Sequence, residues 1–533
     1  MTGSLRPVLY SGRVTPRRSR ALLLPALVAL LAVLTAGCGI FSAEDKASSS
    51  STLTPSPVGS SGATSSPSAS PDLKRFYSQK LTWKSCRGGD RCATLEVPLD
   101  YAEPKGRTIG LSVLKVPAEG GKRRLGSLVV NPGGPGASGV QYAQNAVDTF
   151  GGPVLQSFDV VGFDPRGVGA SNPLKCEGTP KLDELIASDP DPDTAAETRF
   201  SDGLLTDLGK GCLSRSGALV KHMSTVEVAK DVDVLRAALG DSRLSYFGAS
   251  YGTFIGATYA DLFPTHVGRM VLDGALDPSL STLDMSLVQA KGFEVALRAY
   301  VGACVQRGGC FLGNSVDAGT RRIRTFLDSV EKKPLPGSGG RQLTVGNATI
   351  GIWLPLYSKD YWTILDNALQ AAFRGDGSTL LQLSDAYVSR GPDGYTDNSL
   401  EALYAVNCLD HDDGVPSSKV ASYLPRFEKA SPTFGASFAY GLSACENWPV
   451  HTGRVPKKVS AKGAPPIVVV GTTRDPATPL SWAQALVDQL DDGVLVKRDG
   501  DGHTGYHAGN KCVDSAVESY LVAGKVPDGE VDC

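Results

Sequence analysis

The sequence predicts an α/β fold, in which a mostly parallel sheet is covered by helices and a mainly helical cap is inserted before the last strands. Three observations point there. Short apolar runs alternate with helix-patterned segments through the first half of the chain. Helical patterns alone dominate from about 280 to 455. The strand pattern then resumes at Pro466.

The expected strands are Ser127–Val130, Val160–Phe163, Leu244–Phe247, Met270–Leu272, Ile467–Val470 and Val494–Val496. Most are apolar throughout, as strands buried on both faces must be. Ahead of Leu244, the residues Val228, Val232, Leu235 and Leu239 recur at helical spacing, and Gly240 is placed to cap that helix. Another helix is expected to begin near Ser250. In the inserted block, Met285–Cys304, Thr320–Lys332, Tyr361–Phe373 and Leu400–Leu409 read as helices. Such a block forms a cap over the C-terminal edge of the sheet, where open α/β sheets bind ligands. Residues 76–279 and 456–533 are then two parts of one core, and 280–455 is the cap. The sequence shows no internal repeats.

The N-terminus reads as a targeting segment. Arg13, Arg17, Arg18 and Arg20 precede an apolar run from Ala21 to Leu34, about as long as a signal-peptide core and short for a membrane span. It ends in Leu34-Thr35-Ala36-Gly37-Cys38, small residues before a cysteine, the pattern of a bacterial lipoprotein signal. Residues 1–38 are expected to be that signal, with Cys38 acylated. Residues 39–75, rich in Ser, Thr and Pro, are expected to be a disordered tether.

Of eleven cysteines, removing Cys38 leaves ten, an even number that in an exported chain reads as disulfides. Consecutive partners fall within single segments, so the expected pairs are Cys86–Cys92, Cys176–Cys212, Cys304–Cys310, Cys408–Cys445 and Cys512–Cys533. None sits in a zinc-type array with neighbouring histidines, so no metal site is expected. A net charge of −2 gives no reason to expect nucleic acid as a partner.

The chemistry centres on Gly248-Ala249-Ser250-Tyr251-Gly252, which follows a strand and opens a helix. That is the setting of a nucleophile elbow, whose sharp turn lifts the serine hydroxyl above the sheet. Upstream, Asn131-Pro132-Gly133-Gly134-Pro135-Gly136 directly follows a strand. Prolines lack an N–H, so Gly133 or Gly134 must supply a loop donor. Gly134 is favoured, with the N–H of Tyr251 completing an oxyanion hole. The base must be one of six histidines. The order Ser, acid, His selects His503, after the last core strand, with His507 as rival. His222 and His266 read as structural, and His411 and His451 lie in the cap. The acid that orients the imidazole is expected to be Asp475, after a late strand, with Asp273 as rival and more suited to capping a turn. Asp164 and Arg166 are expected to pair beneath the oxyanion loop.

These motifs resemble those of the secreted tripeptidyl aminopeptidases of actinobacteria, α/β-hydrolases related to prolyl aminopeptidase. The resemblance runs from about Leu81 to the C-terminus. It includes Asn131–Gly139, Phe158–Ser171, Gly248–Thr253, Val271–Pro278, Ala405–Asp410, Cys445–Pro449 and Asp475–Pro479. It implies an α/β-hydrolase fold and a serine exopeptidase that removes short peptides, tripeptides in particular, from free N-termini without a cofactor. Catalytic roles carry over to Ser250, Asp475 and His503. Thr504 stands where relatives often have glycine. An esterase or lipase with the same triad is the alternative, because the elbow serves both chemistries. An exopeptidase must bind an α-ammonium, and the cap offers Asp410 and Glu446, beside the two cysteines expected to bond.

If Cys38 is acylated, Cys38→Ser moves the protein from the membrane fraction to the medium. Fractionation with mass spectrometry of the mature N-terminus checks this; an unacylated, soluble wild type excludes the anchor.

Overall fold

A computed structural model describes residues 53–58, 71–120 and 124–533. Cys38, the signal segment 1–38 and most of the expected tether lie outside the described residues. Among them is a ten-stranded sheet. In chain order its strands are β1 (Lys84–Ser85), β2 (Arg91–Pro98), β3 (Thr108–Val116), β4 (Gly126–Asn131), β5 (Phe158–Phe163), β6 (Leu244–Ala249), β7 (Val267–Asp273), β8 (Ile467–Arg474), β9 (Gly493–Asp501) and β10 (Val531–Asp532). Their spatial order is β1-β2-β3-β5-β4-β6-β7-β8-β9-β10. β1, β2, β3 and β5 pair antiparallel, and every later pairing is parallel.

Burial explains the composition of each strand. Every residue of β5, β6 and β7 is buried, which leaves no position for a solvated side chain. In β2 and β3 the buried residues alternate with half-exposed ones, leaving Leu95, Val97, Ile109, Leu111 and Val113 to face the core.

The chain leaves the sheet at Asp273 and returns at Ile467, which pairs with Met270 of β7 in parallel register. Between them the structure is helical apart from two small hairpins, Leu335–Pro336 with Gln342–Leu343 and Arg390–Gly391 with Gly394–Tyr395. Most of these helices enclose an apolar cluster of their own, which includes Phe293, Tyr300, Ile352, Trp362, Phe427 and Phe434. One does not. The helix Ser399–Asp410 sends Leu400, Ala402, Ala405, Val406 and Leu409 into the core of the sheet domain. The stretch 280–455 is therefore divided between a cap and a helix that belongs to the core.

Two further expectations change. Part of the stretch read as a disordered tether is docked. The Ser56 N–H donates to the Val522 carbonyl, and Arg269 donates to the carbonyls of Ser56 and Pro57 as well as Leu521 and Val522. A half-buried guanidinium whose partners are carbonyls needs each of them, because hydrogen bonds to charged groups contribute about 1.5–3 kcal/mol. The domain also begins before residue 76, with a short helical run from Pro71 that buries Phe76.

The second change concerns Arg166. It does not pair with Asp164. Its guanidinium meets Asp231 bidentately at 2.7 and 2.8 Å, both side chains being fully buried, and donates to the carbonyls of Pro98, Leu99 and His222. Asp164 instead accepts from Ser138 Oγ and from the N–H groups of Val140 and Ala170, which holds the far end of the oxyanion loop. The five disulfides join the expected neighbours: Cys86–Cys92, Cys176–Cys212, Cys304–Cys310, Cys408–Cys445 and Cys512–Cys533.

Asp231→Ala leaves a buried guanidinium without its counter-charge. The expected loss is about 3–5 kcal/mol in a denaturant unfolding curve. A loss below 1 kcal/mol would show that the three carbonyls suffice.

Candidate active site

β6 ends at Ala249 and a helix begins at Tyr251, so Ser250 must make the whole turn. It does so at φ 55° and ψ −128°, a conformation that costs a non-glycine residue of order 1–3 kcal/mol. The surroundings hold it there. The Ser250 N–H donates to the Asp273 carbonyl at 2.9 Å, and its own carbonyl accepts from the N–H and Oγ1 of Thr253. The oxyanion loop presses on the elbow. A β-carbon on Gly252 would lie 2.6 Å from the Asn131 carbonyl oxygen, and one on Gly133 would lie 2.7 Å from the Tyr251 nitrogen. These contacts explain the glycines at those positions.

The donors divide clearly. The Gly133 N–H is held by Asn131 Oδ1 at 2.9 Å. Between Pro132 and Pro135 this leaves the Gly134 N–H for a substrate oxygen. The Tyr251 N–H opens the elbow helix, where first-turn N–H groups have no intrahelical acceptor and the dipole favours negative charge.

Asp475 and His503 meet directly. His503 Nδ1 lies 2.9 Å from both carboxylate oxygens. Asp475, fully buried in its side chain, also accepts from the N–H groups of Ala477, Thr478 and Thr504 and from Thr478 Oγ1. The sequence Asp475-Pro476-Ala477-Thr478 forms this turn because an aspartate can bond N–H groups two and three residues ahead. His503 is fixed from three sides. Its N–H donates to the Tyr357 carbonyl at 2.8 Å, the Tyr357 ring stands edge-on at 5.3 Å, and a β-carbon on Gly274 would lie 3.2 Å from Cε1. Gly274 follows the residue whose carbonyl holds Ser250. His503 Nε2 is buried without a hydrogen-bond partner among the described residues, as a base awaiting a proton requires. Burial disfavours the charged imidazole, but the Asp475 carboxylate outweighs it and raises the His503 pKa.

The rivals have other tasks. Asp273 accepts from the N–H groups of Gly505 and Tyr506 and so braces the loop after His503. Burial raises its carboxyl to about 6 against those two donors. His507 bonds Asp514 through its N–H and faces Glu518 at 3.8 Å. His222 faces Glu227, His266 bonds Asp233, and exposed His451 bonds Asp412. Thr504 adopts φ 70°, which explains why glycine suits that position.

The two cap carboxylates expected to hold an amine are occupied. Asp410 accepts from the Thr225 N–H and Oγ1 and lies 3.5 Å from Arg454. Thr225 Oγ1 in turn accepts from the Tyr251 hydroxyl, so Asp410 ties its helix to the elbow. Burial raises its carboxyl to about 6. Glu446 accepts from the Ser417 N–H at 2.8 Å. Thr225, Tyr357 and Thr478 are site residues without a motif of their own.

A cavity of about 400 Å³ lies under the cap. Each of its walls continues from a part of the site. Gln289 bonds the Ala477 carbonyl, Trp353 is one turn before Tyr357, and His411 stacks on Phe254, four residues after Ser250. Tyr404 and Asn407 share the helix whose Ser399 and Ala402 touch Gly136 of the oxyanion loop. The arrangement can activate a serine hydroxyl, stabilise an oxyanion and hold an acyl group in an adjoining chamber.

Comparison with known proteins agrees. Residues 431–533 match the family of TAP-like proteins. Over 478 residues the chain is 37% identical to serine protease Hip1 of Mycobacterium tuberculosis, spanning 85% of this chain and 91% of the relative. It is also 37% identical over 472 residues to carboxylesterase B of the same species, spanning 85% and 89%. With the tripeptidyl aminopeptidase of Streptomyces lividans it shares 30% identity over 469 residues, spanning 85% and 86%.

A base must be neutral to accept a proton, so kcat/KM should fall as pH drops through the raised His503 pKa, with a midpoint above 6.5. Asp475→Asn removes the carboxylate and should move the midpoint down while lowering kcat by about 10⁴-fold. A pH–rate profile of both proteins checks this; an unmoved acidic limb would assign it to another group.

Proposed function

The chain belongs to the TAP-like α/β-hydrolases, and from that premise we propose that it is a serine exopeptidase releasing short peptides, tripeptides in particular, from free N-termini. Ser250 Oγ attacks the scissile carbonyl and His503 Nε2 takes its proton. The N–H groups of Gly134 and Tyr251 receive the oxyanion. His503 then gives its proton to the leaving amine, and water, activated by the same imidazole, hydrolyses the acyl-enzyme.

Relatives named as a protease and as a carboxylesterase are equally similar to this chain, so the triad alone does not choose between peptide and ester. The cavity carries the choice. Its wall includes the carboxylates of Asp189 and Asp202 and no Lys or Arg. That lining suits a substrate with a positive end, whereas a lipase needs a broad apolar cleft.

We place the enzyme outside the cytoplasm, anchored through acylated Cys38. The lipoprotein-like segment supports this, as do five disulfides, which persist in oxidising compartments.

A chromogenic tripeptide with a free amine should be cleaved, and its N-acetyl counterpart should not. Ser250→Ala should lose about 10⁴- to 10⁶-fold in rate and all labelling by a serine-directed phosphonate. Equal cleavage of the acetylated and free peptides would reject the exopeptidase reading and leave the nucleophile standing.

A further inference from the structure

We infer that the cavity under the cap seats the N-terminal end of the peptide, with the Asp189 carboxylate as the partner of its α-ammonium; this rests on the exopeptidase reading. Asp410 and Glu446 are unsuited to that task, because backbone N–H groups already occupy their carboxylates. Asp189 differs. It lines the cavity, and the hydrogen bond it accepts comes from the Asp191 N–H at 3.1 Å. The guanidinium that might neutralise it, that of Arg324, is held instead by Asp191 at 2.8 Å and Asp328 at 2.7 Å. Among the described residues Asp189 therefore has no ion-pair partner. Burial, with Asp191 and Glu331 nearby, raises its carboxyl to about 7 in spite of the Asp191 N–H. A half-buried carboxylate in this position gains from an incoming cation what the protein does not provide.

A second feature of the same cavity points to a ligand. His411 is 8% exposed and lines the wall that adjoins the elbow helix, and its Nδ1 has no hydrogen-bond partner among the described residues. A buried imidazole nitrogen without a partner is costly unless something in the cavity pairs with it. The ring stacks on Phe254 at 6.1 Å, between the nucleophile's helix and the cavity. A peptide running from Ser250 towards Asp189 passes it, and its amide groups can supply the missing hydrogen bond.

The scale agrees. An extended chain advances about 3.3–3.6 Å per residue, so the ammonium of a tripeptidyl unit lies roughly 10 Å from its scissile carbonyl. The cavity begins at residues that touch the triad and the oxyanion loop, and its volume of about 400 Å³ lies within the usual range for small-ligand sites. Asp189 would thus measure length as well as charge, because a shorter peptide could not reach it while its carbonyl sits at Ser250.

The test compares wild type, Asp189→Asn and Asp202→Asn on a free-amine tripeptide anilide and its N-acetyl counterpart. Thermal unfolding and phosphonate labelling of Ser250 report whether each variant is folded. Asp189→Asn should raise KM for the free-amine substrate about 10- to 100-fold, with a smaller change in kcat, and should collapse the preference for free over acetylated peptide. Asp189→Glu should recover part of that preference. If wild type prefers the free amine and folded Asp189→Asn prefers it equally, the anchor is wrong and the exopeptidase reading stands. Collapse in Asp202→Asn alone would also overturn the role of Asp189. If wild type shows no preference, the exopeptidase reading fails and the anchor with it.

Discussion

The site depends on the end of one strand. At Asp273 the main-chain carbonyl of β7 holds the N–H of Ser250, while the side chain of the same residue holds the N–H groups of Gly505 and Tyr506. The next residue, Gly274, donates to the Val470 carbonyl in β8 and touches His503. Nucleophile, base loop and the strand leading to Asp475 are thereby fixed from two adjacent residues. The backbone of Ser250 is strained, and strain persists only where its surroundings over-determine it. The carbonyl of Asp273, the loop pressing from Asn131 and the bonds from Thr253 do so here. A buried carboxylate is an expensive brace, which is why two N–H donors converge on it.

What the sequence disclosed, and what it concealed, follows the range of each interaction. Strands buried on both faces announce themselves as unbroken apolar runs, so β4 to β9 were legible. β2 and β3 alternate and blend into their surroundings. The elbow and the Asp475 turn are local bonding patterns written in adjacent residues. The Arg166 pair was misread because Asp164 is its neighbour in sequence, whereas its real partner, Asp231, lies 65 residues away. Asp410 was misread for the same reason: it sits in a recognisable motif, but its partner Thr225 is 185 residues distant. Asp189 belongs to no motif at all. Only the folded chain reveals that Asp191 holds the guanidinium that might have neutralised it.

Selectivity and chemistry are carried by different cores. The triad stands on the sheet, while most of the cap helices pack around their own apolar cluster. Relatives named as a protease and as an esterase can share the first and differ in the second. The two cores are nevertheless clamped together. The helix Ser399–Asp410 packs into the sheet domain and carries Cys408, which bonds Cys445 near the cap's end, and Gln289 reaches the turn after Asp475. The chamber is therefore registered against the nucleophile and does not float over it.

The order of the triad along the chain has a consequence in time. Ser250 is made early, the whole cap follows, and the strand that leads to Asp475 and the loop that carries His503 come only near the C-terminus. Domains fold as they emerge, N-terminal parts first. A growing chain that has formed β2 to β7 thus holds a nucleophile with no base and a sheet with an open edge. No partial product of synthesis contains a working hydrolase. Competence arrives with β8 and β9, in the same event that closes the sheet beside β7, so the enzyme becomes able to act only when it is nearly finished folding.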